Sequence, residues 1–142
     1  MKTRVPARPE LISMIAAAAE GLPPVFREVT AVEAYADKLL SAARFEVARD
    51  DDQVVGLVAY YANDLSTRQA FITLVSVAPT ARKRGIAARL VSQVITRCEN
   101  EGFKTISLQV LSNNAAANAL YSKYDFAHVS TQDGQHTLIR TL

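Results

Sequence analysis

Residues 70–77 (AFITLVSV) form an almost wholly apolar run, closed two positions later by Pro79. A run of this kind is expected of a central strand buried on both faces, because successive side chains turn to opposite sides of their sheet. Proline cannot donate to a β-ladder and ends it. After a short polar loop, Ile86, Leu90, Val91, Val94, Ile95 and Cys98 recur at the spacing of one helical face, and Gly102 stands where a helix-closing glycine belongs. Residues 105–111 (TISLQVL) read as a strand again. A strand, a crossover helix and a second strand pair in parallel. The chain is therefore built around a β-α-β unit.

The flanking segments extend this core. Residues 2–5 read as a short first strand. Pro9 stands where a first helical turn tolerates proline, and Leu11, Met14, Ile15 and Ala18 carry that helix up to Gly21. Pro23-Pro24 forces a loop. Thr30-x-x-Glu33 resembles a capping box ahead of Val32, Tyr35, Ala36, Leu39 and Leu40 on a second amphipathic helix. Residues 44–49 and 54–61 are expected strands around the turn Asp50-Asp51-Asp52, and residues 63–68 form a polar turn. Residues 114–124 form a short helix, and residues 126–131 and 135–141 form a hairpin across Asp133-Gly134. The fold class is α/β. Its central sheet is mixed, with an antiparallel N-terminal half, a parallel β-α-β core and helices on both faces. No repeat or low-complexity linker divides the chain, so residues 1–142 are read as one domain.

Charge and composition exclude some functions. The net charge of +2 is too small for nucleic acid or an anionic membrane as the main partner. Any anion site must come from local charges and backbone donors. No apolar stretch reaches the length of a membrane span. Cys98 is the sole cysteine, so no intrachain disulfide forms. The N-terminal MKTRVPARPE lacks the apolar core of a signal peptide. A cytoplasmic protein is expected, with a homodimer left open. His128 and His136 share no metal-ligand spacing, so no metal is expected.

Arg82-Lys83-Arg84-Gly85-Ile86-Ala87 connects the buried strand to the amphipathic helix. A helix N-terminus presents unpaired N–H groups and a partial positive charge. Gly85 has no Cβ to hold an anion away from them, Ala87 keeps the next inward position small, and three consecutive basic side chains add attraction. These residues suit a pyrophosphate; taken alone they also suit an ordinary connection with solvated charges. Neither G-x-G-x-x-G nor the P-loop signature is present.

Arg82-x-x-Gly85-x-Ala87, following the strand, resembles the pyrophosphate motif of the GNAT superfamily of acetyl-CoA-dependent N-acetyltransferases. Asn114, with Leu120-Tyr121 beyond it and Asp125-Phe126 shortly after, resembles that family's second motif. The element order agrees over nearly the whole chain. The resemblance implies that acetyl-CoA is the cosubstrate and that its pantetheine pairs with the backbone of Val75, Ser76 and Val77. It implies that N–H groups from Arg84, Gly85, Ile86 and Ala87, with Arg82, hold the pyrophosphate. The Val77 N–H then faces the thioester oxygen, Asn114 bonds the cofactor arm, and Tyr121 lies near the sulfur. On the residues alone, Asn114 also suits a helix N-cap, and Tyr121 a core aromatic.

Two positions depart from the family pattern. Asp125 replaces a glycine, although aspartate enters the left-handed region more easily than most residues. Thr73 stands where many members carry a glutamate base. An ordered water, or Asp64, Glu28 or Glu46, is left as the proton acceptor. Cys98 reads as a small buried hydrophobe. The expected activity is acetyl transfer to a primary amine by direct attack in a ternary complex, with Tyr121 as acid. The acceptor is expected to be a small molecule, a metabolite or an amino-sugar nucleotide, in a cleft lined by Tyr60-Tyr61, Asn63-Asp64, Phe26 and Tyr35. The alternatives are a non-catalytic CoA sensor and, against the low charge, nucleic-acid binding through residues 82–84.

Overall fold

The computed structural model describes residues 5–142, so residues 2–4 of the expected first strand lie outside the described residues; Val5 lies in a bend. The chain then runs through α1 (Arg8–Ala17), α2 (Val29–Ala42), β1 (Arg44–Asp50), β2 (Gln53–Asp64), β3 (Gln69–Val77), α3 (Ile86–Asn100), β4 (Thr105–Leu111), α4 (Ala115–Lys123), β5 (Ala127–Gln132) and β6 (Gln135–Thr141). The six strands form one mixed sheet in the order β1-β2-β3-β4-β6-β5, in which only β3 and β4 are parallel.

Local chemistry explains most element ends. Pro9 lies in the first turn of α1, and the Glu10 carboxylate accepts the Ala7 N–H at 2.8 Å. The apolar stripe of α3 is buried as expected. That helix closes with the Phe103 N–H donating to Cys98 O and the Gly102 N–H to Glu99 O, the paired bonds of a Schellman end. Asp133 and Gly134 both have positive φ, as a two-residue hairpin turn of matching twist requires.

Three expectations are corrected. The first helix stops at Ala17, and two short 3₁₀ turns, Ala19–Gly21 and Pro24–Arg27, carry the chain round the prolines. The Thr30/Glu33 box is not used: Glu28 is the N-cap of α2, its carbonyl accepts the Val32 N–H, and Thr30 lies within the helix. β2 continues through Asp64, so the polar turn shortens to residues 65–68. β3 is covered by a core on each face, as expected of a central strand: Ala70, Ile72, Leu74 and Ser76 are buried, while Phe71, Thr73, Val75 and Val77 are partly so.

Thr73 is the pivot of β3. Ile72 pairs with Tyr60 and Leu74 with the adjacent Ala59, so Thr73 is the extra residue of a β-bulge. A bulge re-aims the side chains beyond it. Ile72 accordingly packs into the core beneath α3, whereas Leu74 packs into the second core beneath α1 and α2. The Arg97 side chain donates to Glu46 at 2.6 Å, fixing α3 over β1, and Ser76 Oγ donates to Met14 O at 2.6 Å, fixing α1 over β3. β3 and β4 pair only from Gln69↔Thr105 to Ile72↔Leu108. Past that point β3 stays with β2, and β4 stays with β6 as far as Leu111. The sheet therefore splits at its centre.

Candidate active site

The split opens a cavity of about 630 Å³, walled by β3 and β4, the first turn of α3, α4 and the turn after α1. Its β3 wall is an unpaired strand edge. Backbone groups alternate in direction along a strand, and the Ala78 N–H donates to Val55 O on the β2 side. The polar groups of Val77 and Val75 consequently face the split. Within a protein interior such groups need partners. The Val77 carbonyl already accepts from Arg82 Nε at 3.2 Å; its N–H and both groups of Val75 have no neighbouring strand.

At one end of this edge lies the N-terminus of α3. Gly85 is its N-cap residue with φ 74°, and no side chain caps the first turn. A Cβ placed on Gly85 would meet nothing within 4 Å, so the space above it is open. Lys83 also has positive φ, with Arg84 between them on the ordinary side. Alternation of this kind turns successive N–H groups toward one concavity, a backbone nest for anions. With the uncapped first turn of a 15-residue helix, it forms a site suited to phosphate.

The expected site residues occupy distinct positions. Val75, Ser76, Val77, Arg82, Lys83, Gly85, Ile86, Ala87, Asn114 and Tyr121 all line the cavity. Arg84 does not; its guanidinium pairs with Asp50 at 3.0 Å and donates to Thr80 O. The Arg82 guanidinium donates to Ala17 O at 3.0 Å, tying the end of α1 to the loop. Asn114 caps α4, its Oδ1 accepting the Ala117 N–H at 3.2 Å while it also lines the cavity. Capping and cleft lining are therefore compatible. Tyr121 is buried, with its ring edge-on to Phe126 at 5.7 Å, and burial holds its phenol well above the ordinary value. Asp125 has φ 65°, so the turn that glycine usually supplies is retained.

None of the considered carboxylates lines the cavity. Asp64 is held low, to about 2, by hydrogen bonds from Ser66 and Thr67. Glu46 is committed to Arg97, and Glu28 begins α2. Among the described residues the one lining carboxylate is Glu20, on the 3₁₀ turn after α1. No sequence signal singled it out, because it stood as an ordinary polar residue in the last turn of the expected first helix. Thr73 is also engaged: the Tyr35 hydroxyl lies 2.9 Å from its carbonyl and 2.6 Å from its Oγ1. Burial pushes Tyr35 up to about 12. Burial likewise raises the Cys98 thiol to about 11, leaving a poor nucleophile.

A second cavity of about 180 Å³ adjoins the first, sharing Gly21, Leu22, Ile72, Thr73 and Gln109 with it. Phe26 and Tyr35, ring centroids 5.0 Å apart, line it as expected. Tyr60, Tyr61, Asn63 and Asp64 do not, because the longer β2 carries them elsewhere. Tyr60 is buried near Glu46, Cys98 and Arg97, on the α3 side. Asn63 Nδ2 donates to Ala42 O. Among the described residues no group of three His, Cys, Asp or Glu is placed to hold a metal, and no helix is long and apolar enough to cross a membrane. The histidines instead share Thr131 Oγ1, at 2.6 Å from His128 and 2.7 Å from His136.

The family profile of the acetyltransferase (GNAT) family matches residues 13–126. The chain belongs to the GNAT acetyltransferase family. Over 82 residues it is 29% identical to the L-2,4-diaminobutyric acid acetyltransferase of Shouchella clausii (strain KSM-K16), a match covering 58% of this chain and 46% of that protein. The chain thus spans about half the length of that relative. Its fold is similar to that of PH1933 from Pyrococcus horikoshii OT3, with a TM-score of 0.83 at 23% identity over 100% of this chain and 94% of the other. It is also similar to the PaiA N-acetyltransferase from Thermoplasma acidophilum, solved in complex with coenzyme A, with a TM-score of 0.76 at 13% identity over 95% and 92% of the two chains.

Proposed function

We propose that this protein transfers the acetyl group of acetyl-CoA to a primary amine by direct attack in a ternary complex. The observation that carries this reading is the unpaired β3 edge running to the uncapped N-terminus of α3. A pantetheine arm has amides to complement such an edge, and a pyrophosphate suits the backbone nest at Lys83 and Gly85. The membership in an acetyltransferase family and the coenzyme A bound to a structural neighbour support the same assignment.

In this reading Val75 and Val77 pair with the pantetheine amides. The N–H groups of Gly85, Ile86 and Ala87 hold the pyrophosphate, with Lys83 adding charge. Arg82 acts chiefly as a brace between Ala17 and Val77, and Arg84 adds its backbone N–H and long-range attraction. Asn114 contacts the cofactor arm. The Val77 N–H is aimed at the thioester oxygen, where negative charge develops as the amine attacks. Tyr121 donates to the departing sulfur. A thiol has an ordinary pKa near 8.5 and a phenol near 10, and burial raises Tyr121 further. Full proton transfer is therefore uphill. Its larger contribution is a hydrogen bond that strengthens as the thiolate forms. We place this activity in the cytoplasm, on a small-molecule acceptor, with neither nucleic acid nor membrane as partner.

Two measurements test the reading. A panel of amines is screened for acetyl-CoA-dependent thiol release, and calorimetry compares CoA with pantetheine. Thiol release with at least one amine, and far weaker binding of pantetheine, are expected. Cofactor binding without release for any amine supports the sensor alternative. Equal affinity for CoA and pantetheine removes the phosphate assignment.

A further inference from the structure

We propose, resting on the transfer reading above, that the acceptor is a monoamine with an apolar, ring-sized body and no carboxylate or phosphate. The smaller cavity adjoins the cofactor cleft at Ile72, Thr73 and Gln109, where β3 and β4 begin to part. An acceptor seated there can extend an amine toward the cleft. Its walls are built from Phe26, Tyr35 and Phe71 together with aliphatic side chains, and its polar side chains, Thr73, Gln109 and Gln135 among them, are neutral. Among the described residues no Asp, Glu, Lys, Arg or His lines it.

That lining selects against charge. An amino-acid acceptor brings a carboxylate, and a nucleotide brings phosphate; either needs a cationic or multiply donating partner when it leaves water. The cavity offers the side-chain amides of Gln109 and Gln135 and the Thr73 hydroxyl, which Tyr35 already engages. The tyrosine hydroxyl nearest to it is committed to Thr73, so Tyr35 presents chiefly its ring. The smaller cavity is an open groove of about 180 Å³, and its aromatic walls suit a flat body. A single ring fits.

The same lining bears on the missing base. Desolvation disfavours an ammonium ion and lowers its pKa. Within the smaller cavity the described residues give the charged form no carboxylate partner, which favours the neutral, nucleophilic amine; the carboxylate of the adjoining cleft is Glu20. The transfer then balances simply. The amine nitrogen bonds to the acetyl carbon, the carbon–sulfur bond breaks, one N–H proton leaves to solvent, and the CoA sulfur, hydrogen-bonded by Tyr121 as it departs, takes up one proton from solvent to become the thiol. The inference separates this chain from the relative named for L-2,4-diaminobutyric acid, whose acceptor carries a carboxylate.

The test compares 2-phenylethylamine, propylamine and L-2,4-diaminobutyric acid in two assays on the full chain. One is kcat/KM from acetyl-CoA-dependent thiol release; the other is calorimetric binding of each amine to the protein–CoA complex, where no transfer occurs. 2-Phenylethylamine is expected to exceed both others at least tenfold in each assay. Phe26→Ala should shrink its advantage over propylamine to within about threefold while CoA affinity is retained. Equal or preferred use of L-2,4-diaminobutyric acid overturns the inference and leaves acetyl transfer standing. Selective binding of 2-phenylethylamine with no thiol release from any amine overturns the transfer reading and keeps the cavity assignment. An undiminished ring preference in a folded Phe26→Ala variant shows that the ring sits elsewhere and sinks the proposal.

Discussion

Gly85 illustrates how one backbone angle serves a site. With φ at 74° it occupies a region that costs other L-residues about 1–2 kcal/mol. Nothing lies within 4 Å of its missing Cβ, so substitution brings strain without a clash inside the protein. Gly85→Ala should therefore show mainly the backbone cost, whereas Gly85→Val also fills the space above the nest. We expect Gly85→Val to weaken CoA binding at least tenfold, about 1.4 kcal/mol, with the fold retained in circular dichroism. Calorimetry giving parental CoA affinity for a folded Gly85→Val variant would remove the anion site from this turn. Tyr121 makes a different demand. Tyr121→Phe keeps the ring and its edge contact with Phe126 and deletes the hydroxyl. Positioned proton donation is worth about 10²–10⁴-fold. Because burial holds the phenol high, the lower end of that range is expected in kcat, with acetyl-CoA affinity unchanged. A kcat within about twofold of the parent assigns Tyr121 to packing alone.

β2 and α3 meet unusually closely. A Cβ at Gly56 would lie 2.6 Å from Ile86 Cγ2, in the first turn of α3. This methyl is attached near the backbone and has little room to retreat, so Gly56→Ala must push the turn outward. Overpacking of this kind typically costs about 1–3 kcal/mol. The displaced turn carries the cradle N–H groups, so stability and CoA affinity should fall together. Loss of stability in urea with CoA affinity intact would show that the nest adjusts independently of the helix. The sequence made the local half of this arrangement visible. The α3 stripe, the Gly85 junction and the Asp133-Gly134 turn depend on neighbouring residues, and each is found in place. Other features depend on distant partners. The Thr73 bulge is visible only against Ala59 and Tyr60 of the neighbouring strand, and Tyr35 reaches Thr73 across 38 positions. The capping signal at Thr30 lost to a helix start at Glu28, next to the proline-bent turn. Tyr60 and Tyr61 looked equivalent until the register sent Tyr60 beneath α3.

The two cores on opposite faces of the sheet bury several groups that titrate in alkali. Burial raises Cys98 from 9.0 to about 11, and raises Tyr35 and Tyr60 from 10.0 to about 12. Tyr121 moves in the same direction, further. In each case the folded pKa lies above the unfolded one. Below the unfolded value both states are protonated, and the group leaves stability unchanged. As the pH rises past it, the unfolded chain releases a proton that the folded chain retains, so stability falls until the folded value is reached. The window opens near pH 9 with Cys98 and near pH 10 with the tyrosines. One pH unit within a window corresponds to about 1.4 kcal/mol per group. Between pH 8 and pH 10, Cys98 alone should cost about 1.4 kcal/mol, and each buried tyrosine about 0.4 kcal/mol. Against a typical domain stability of about 5–15 kcal/mol, this is a readily measured loss. Cys98→Ala is less stable at pH 8 because it leaves a small cavity, but its further loss on moving to pH 10 should be smaller than the parent's by about 1.4 kcal/mol. Urea unfolding of both proteins at the two pH values measures that difference directly. Equal losses would show that the Cys98 thiol ionises in the folded protein as readily as in the unfolded chain, and that α3 does not seal it from water.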